Sequence, residues 1–212
     1  MSEREWVAVD SRERTLSLAV MPVDAVTGGR PIEPPRVVIE EVDADPVGTR
    51  SGYHLFLDLP ATPDTVTVVV DGGSRYLDAE RVVDRSALDR LDPSVTVALD
   101  PAPAYPFAPR ATLLRGKVTN RDDEGVEGVA LSLRHTDVST VSTTGGDYVL
   151  WLGDLVRESV ETVGDRRLVR VNNQPPRLVA EHDDYRRTVV TQEVEEATTT
   201  VRDVELRPPG GP

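Results

Sequence analysis

Two stretches of this chain carry one pattern about a hundred residues apart, and that repeat limits the fold more than anything else in the sequence. The first reads RTLSLAVMPVDAVTGGRPIEPPRVVIEEVDADPVGTRSGYHLFLDLP; the second reads ATLLRGKVTNRDDEGVEGVALSLRHTDVSTVSTTGGDYVLWLGDL. Each opens on an alternating segment (Leu16, Leu18, Val20; Leu114, Gly116, Val118). A turn rich in Gly and Asp follows, then a Pro or Gly step into a second apolar run (Val37 to Ile39; Val129 to Leu133). A polar hairpin ends in Ser51-Gly52-Tyr53-His54-Leu55 or in Gly145-Gly146-Asp147-Tyr148-Val149-Leu150. Each copy closes on a Thr- and Val-rich run, Val95 to Leu99 and Thr200 to Leu206. Alternation with period two belongs to strands with one buried face, so the repeat predicts an internal duplication of a small β-sheet unit.

The residue choice agrees. The chain holds 34 valines and only two isoleucines, and a branched Cβ suits a pleated surface. Val, Leu, Ile and Phe make up 57 of 212 residues, enough to bury a core. Nine aromatics mean that each core is small and mainly aliphatic. Thr65 to Val70 followed by Asp71-Gly72-Gly73 predicts a hairpin, as does Ser159 to Val163 turning at Gly164-Asp165 into Arg167 to Val171. Val156, Val160 and Val163 also fit helical spacing. One short helix is expected at Ser86 to Leu91, capped by Ser86 with Asp89 three residues on.

Asp100 to Arg110, DPAPAYPFAPR, has proline at 101, 103, 106 and 109. Fixed φ angles make such a run a semi-rigid connector. Its PxxP spacing also suits an SH3-type ligand, which many linkers share. The expected organisation is an N-terminal arm (1–14), a first sandwich (15–100), the connector (101–110), a second sandwich (111–207) and a flexible tail (208–212). The fold class is therefore all-β: two tandem immunoglobulin-like or transthyretin-like β-sandwiches joined by a Pro-rich linker.

Thirty-seven acids face 24 bases, for a net charge of -13, and Lys117 is the single lysine. An acidic, lysine-poor surface resembles the proteins of salt-in halophiles, where carboxylates stay hydrated and salt screens their repulsion. The competing reading is a surface that repels nucleic acid or meets a basic partner. Either way no basic stripe exists to neutralise phosphates, so nucleic-acid binding is not expected. The absence of cysteine excludes disulfides and thiolate chemistry. The charged N-terminal stretch lacks the apolar core of a secretory signal, and no segment approaches 18 apolar residues. The expected location is the cytoplasm, or a particle assembled there.

The second repeat resembles the carboxypeptidase regulatory-like domain. The residues that carry the resemblance are Leu114 to Val118, the acidic turn Asp122 to Gly125, Gly125 and Gly128 before Val129, Ser142 to Thr144, and Gly146-Asp147-Tyr148. The first repeat resembles it more faintly, through Asp24 to Pro31 and Gly52-Tyr53. Glu127 departs from the family's small residue or proline. The resemblance implies a transthyretin-like sandwich and an accessory module with no catalytic residues. Tandem domains of this kind in a haloarchaeal chain also resemble accessory components of phage-tail-like contractile injection particles.

No constellation of reactive residues survives a geometric test. His135, Asp137 and Ser139 at i, i+2 and i+4 of a strand would put histidine and serine roughly 13 Å apart, with the acid between them. Asp122-Asp123-Glu124 sits at a hairpin tip where side chains diverge, unlike a calcium loop. Glu181-His182-Asp183-Asp184 lacks the second ligand pair of a zinc site. His54 reads as a structural histidine, and Trp151 as an anchor of the second core. The sequence therefore predicts no catalytic residue, no metal and no cofactor. Trp6, Tyr105 and Phe107 are the candidate docking or interdomain contacts. The expected function is a non-enzymatic structural or adaptor protein that docks on other protein subunits of a larger, oligomeric assembly. The alternative is an accessory module that binds a ligand such as carbohydrate.

Overall fold

The computed structural model describes residues 13–210. Nearly all regular structure is β. In the first half, Leu16–Asp24 (β1), Arg36–Ile39 (β2), Val47–Gly48 (β3), His54–Leu57 (β4), Thr65–Asp71 (β5), Ala79–Asp84 (β6) and Ser94–Leu99 (β7) form two sheets. One has the order β3-β4-β1-β7 and the other β2-β5-β6. Strand β5 shows why: Val66, Val68 and Val70 are fully buried while Thr67 and Val69 are less so, the alternation of a strand with one face on the core. Both sheets feed one core, with Leu18, Val20, Phe56, Val95 and Leu99 from the first and Val37, Ile39, Val66, Val68 and Val83 from the second. Two sheets facing across a shared core make a sandwich.

The second half holds Leu113–Thr119 (β8), Ala130–Leu133 (β9), Ser139–Val141 (β10), Asp147–Trp151 (β11), Gly153–Glu158 (α1), Val160–Val163 (β12), Arg166–Val169 (β13), Arg177–Glu181 (β14), Thr188–Thr191 (β15), Thr199–Val201 (β16) and Val204–Glu205 (β17). Its sheets are β10-β9-β14-β15 and β11-β8-β16, with β17 also on β8. Leu114, Leu131, Leu133, Tyr148, Leu150, Leu178 and Leu206 fill a separate core.

The two halves share a pairing scheme. In each, the opening strand takes an antiparallel partner on one side (β4 or β11) and a parallel one on the other, the closing strand (β7, or β16 and β17). In each, the second strand pairs antiparallel with a later one, β2 with β5 and β9 with β14. They differ in the third strand: β3 joins β4, whereas β10 joins β9. The second half also inserts α1 and the hairpin β12–β13.

Several expectations need correction. The helix at 86–91 is one 3-10 turn at Arg85–Ala87, and its cap is Asp84, whose carboxylate accepts from Ser86 N–H at 2.9 Å. Proximity of Asp84 to the chain reversal gives it the role assigned to Ser86. The closing run at 200–206 is interrupted at Arg202–Asp203, where Asp203 Oδ1 replaces a backbone acceptor for Lys117 N–H at 2.8 Å. Trp151 is half-buried outside the second core; Tyr148, Leu150 and Leu152 take the inward positions of that strand, so Trp151 faces away from them.

Candidate interaction surfaces

The buried carboxylate of Asp24 organises the junction between the halves. Asp24 ends β1 and is 1% exposed. Oδ1 accepts from Val26 N–H at 2.8 Å and Thr27 N–H at 3.1 Å, the short-range pattern that Asp forms at a turn. Oδ2 accepts from the hydroxyls of Tyr76 at 3.0 Å and Tyr105 at 2.7 Å. Tyr105 comes from the proline-rich segment, 81 residues along the chain. It stacks edge-on against Tyr76 (5.5 Å between centroids) and Phe107 (4.7 Å). Tyr105 is buried in the first core and Phe107 packs half-buried against it. Pro101 bridges Tyr76, Leu77 N–H donates to Asp100 O, and Ala102 N–H donates to Arg75 O, so residues 100–107 run along the loop that joins β5 to β6.

Burial holds the phenols of Tyr76 and Tyr105 above the ordinary tyrosine range, and the carboxylate of Asp24 raises both further. Burial does the same to Tyr148, helped by the charge of Asp203. A proton bound more tightly in the folded chain stabilises it below the unfolded pKa near 10, and that contribution is lost as pH rises beyond it. Melting temperatures are expected to hold steady to about pH 9.5 and to fall through pH 10 to 12. Tyr105→Phe removes one such group, so circular dichroism melts of this variant should decline less steeply over that window. An equal decline in the variant would contradict the assignment.

The second half closes on this junction. Arg115 Nη2 donates to Pro103 O at 2.6 Å. Strand β11 is buried on both faces: Tyr148 and Leu150 face the second core, while Val149 lines a recess with Ala25, Asp100, Pro101 and Trp151. A larger cleft of about 720 Å³ runs between the β5–β6 loop and residues 127–128 and 141–144. Asp78, Asp100, Glu127 and Asp147 line it. Desolvation pushes the Asp100 carboxyl above the usual carboxylate range. Asp78 and Glu127 are occupied, accepting from Gly72 N–H at 2.9 Å and Thr144 Oγ1 at 2.7 Å.

The other expected residues fall apart spatially. His135 and Asp137 lie in the turn between β9 and β10, not on a strand, and His135 has φ +66. A left-handed turn residue aims its side chain away from the strand row on which the three residues would align. Asn120 Oδ1 accepts from Asp122 and Glu124 N–H, folding the exposed acidic turn on itself. His182 Nδ1 accepts from Asp184 N–H within its own loop. His54 is half-buried on β4, where desolvation lowers its pKa. Among the described residues, no three His, Asp or Glu side chains gather where they could hold a metal ion. Trp6 lies outside the described residues. Every described aromatic is buried or half-buried.

The exposed valines are what the alternation did not announce. Val47, Val82, Val141, Val189 and Val201 are 48%, 69%, 43%, 47% and 66% exposed, and each sits on an outermost strand of its sheet. Strand β15 is the plainest case. Its sequence is TVVT, wholly β-branched and uncharged. Gln192 N–H donates to Pro176 O, and by alternation Thr188 and Val190 also bond to β14. Val189 and Thr191 therefore turn their backbone groups away from the sheet.

No helix among the described residues is long and apolar enough to cross a membrane. No protein-family model matches the chain, and no curated protein does. Similar solved structures include the Bacillus anthracis TIE protein, at 9% identity and a TM-score of 0.32 over 91% of this chain and 33% of that one. A streptococcal ancillary pilin matches at 12% identity and a TM-score of 0.29, over 92% of this chain and 63% of the pilin. The major pilin subunit of Bacillus cereus matches at 10% identity and 0.23, over 82% and 55%. The chain thus spans between a third and just under two thirds of these proteins, and likeness at this level is too remote to transfer a role.

Proposed function

We propose that the chain is a non-catalytic structural module whose β15 edge accepts a strand from a neighbouring protein subunit in a larger assembly. The observation that carries this reading is the uncharged, β-branched edge Thr188–Thr191, with the backbone groups of Val189 and Thr191 facing away from β14 and without a partner among the described residues, and Val189 exposed beside them. Natural edges are ordinarily blunted by short length, lysine, proline or inward charge; this one is four residues long but has no lysine, proline or inward charge. In this reading 15–100 and 111–207 are tandem sandwiches joined across 101–110. Tyr105 and Phe107 are the contacts that fix the connector, and Trp6 in the arm is a docking anchor. The finer setting, an accessory subunit of a contractile, phage-tail-like particle of a halophile, is supported by the acidic, lysine-poor composition and by the resemblance of the second repeat to accessory domains.

The test is light scattering coupled to size exclusion, in molar salt, with affinity capture from the source cells. The native chain is expected to self-associate or to retain a defined protein partner. Val189→Lys should abolish that association while leaving the melting temperature within a degree or two, since a surface change of this kind costs about 0.5 kcal/mol or less. A native chain that runs as a lone monomer and captures nothing overturns the proposal.

A further inference from the structure

Arg134 and Arg177 stand opposite each other at the end of the β9–β14 ladder. Arg134 N–H donates to Arg177 O at 3.0 Å, one step beyond the register pair Leu133 and Leu178. Opposed residues of such a pair hold their Cβ atoms about 5 Å apart, a distance at which like charges destabilise a sheet. Leu133 and Leu178 are each 1% exposed and face the core, so the two arginines project from the other side. Ser132 and Val179 form the next rung and Thr191 flanks Arg177, all neutral, while on the β10 side the next position in register with Arg134 is Asp137, at the far end of the same turn. Neither guanidinium makes an ion pair or a hydrogen bond among the described residues. In a chain with 37 acids and a net charge of -13, these two arginines are nevertheless held opposite each other across one rung of a sheet.

They also line a recess of about 170 Å³, with His135, Asn172, Gln174 and Pro175 around it and no carboxylate among the described residues of its walls. The far wall is a two-residue turn. Asn172 and Asn173 have φ of +50 and +60, and Val171 and Gln174 exchange both backbone hydrogen bonds, at 2.9 and 3.0 Å. This is the geometry of a tight hairpin turn, and it fixes the wall before any ligand arrives. We propose that this recess is a carboxylate-binding site, taking an aspartate or glutamate side chain presented by a partner polypeptide. Paired guanidiniums match the planar carboxylate in bidentate fashion, and the Asn and Gln amides add neutral donors. The acidic surface repels an extended polyanion at long range, whereas one acidic side chain on a peptide can approach locally. The anion also relieves the repulsion between Arg134 and Arg177. The site stands whether or not β15 takes a strand, and the two are tested by different residues.

The test titrates the full chain with acetylated, amidated Gly-Glu-Gly, following backbone amide resonances by NMR. Saturable shifts are expected at Arg134, His135 and Gln174. The matching Gly-Gln-Gly peptide should give none, and the double variant Arg134→Gln, Arg177→Gln should bind at least tenfold more weakly. Without ligand, Arg134→Gln and Arg177→Gln should each raise the melting temperature. Equal binding of the Gln peptide, unchanged affinity in the double variant, or a lower melting temperature in both single variants would overturn the site. Saturation by inorganic phosphate but not by the Glu peptide would overturn the carboxylate assignment. Tighter binding of a neutral peptide with a free C-terminus would overturn the side-chain source.

Discussion

Replacing Asp24 with alanine is expected to cost the first half about 3 to 5 kcal/mol. Four donors lose their acceptor at once: the amides of Val26 and Thr27 and the hydroxyls of Tyr76 and Tyr105. The site is 1% exposed, so water cannot replace the carboxylate freely. A buried donor left unpaired costs about 1 to 3 kcal/mol, and the turn amides recover part of this by relaxing toward solvent. Asp24→Asn keeps one acceptor oxygen and should lose about half as much. Tyr105→Phe removes a single hydroxyl and should lose about 1 kcal/mol, while the carboxylate keeps its other three donors. Chemical denaturation followed by tyrosine and tryptophan fluorescence would rank the three variants. A ranking in which Tyr105→Phe matches Asp24→Ala would show that the carboxylate is not the hub of the junction.

Gly116→Ala should destabilise the second half by about 3 kcal/mol or more, beyond the usual range for overpacking because the obstacle is main chain. A Cβ there would lie 2.1 Å from Arg202 O and 2.6 Å from Arg202 C. Moving Arg202 would strain two further links: Tyr148 reaches past β8 to donate to Arg202 O, and Asp203 holds Lys117 N–H. Gly128→Ala is the internal control. Gly128 has φ +74 with nothing within 4 Å of a new Cβ, so its variant meets only left-handed backbone strain, about 1 to 2 kcal/mol. Thermal melts should therefore place Gly116→Ala well below Gly128→Ala. The reverse order would mean that the closing strands yield to the added methyl group.

Strands with one buried face were legible because their period is local. Val66, Val68 and Val70 announced β5, and the repeated segments announced which strands correspond. Residues whose roles depend on distant partners were not legible. Asp24 read as a turn residue, and its second pair of donors lies 52 and 81 residues away. Trp151 read as a core anchor because tryptophan is large and apolar. Its place beside Asp100 and Pro101 follows from strand parity and from how the halves meet. The break at Arg202–Asp203 left one trace in the sequence, the glycine at 116 on the facing strand, and nothing local tied the two together. Arg134 and Arg177 are 43 positions apart, so their opposition appears only once the register of β9 and β14 is known. The exposed valines looked like core residues because alternation shows which side of a strand is apolar, not whether a further strand lies beside it.

The parallel closure of each sheet sets an order of events during synthesis. Strand β1 finds one of its two partners only when β7, at Ser94–Leu99, has left the ribosome, and β8 likewise waits for β16 and β17. Tyr105 follows β7 by a few residues and is the last piece the first core needs. The first half can therefore finish and latch before β8 has left the ribosome. Its completed surface is then present when β11 emerges, and the second half matures against a preformed neighbour.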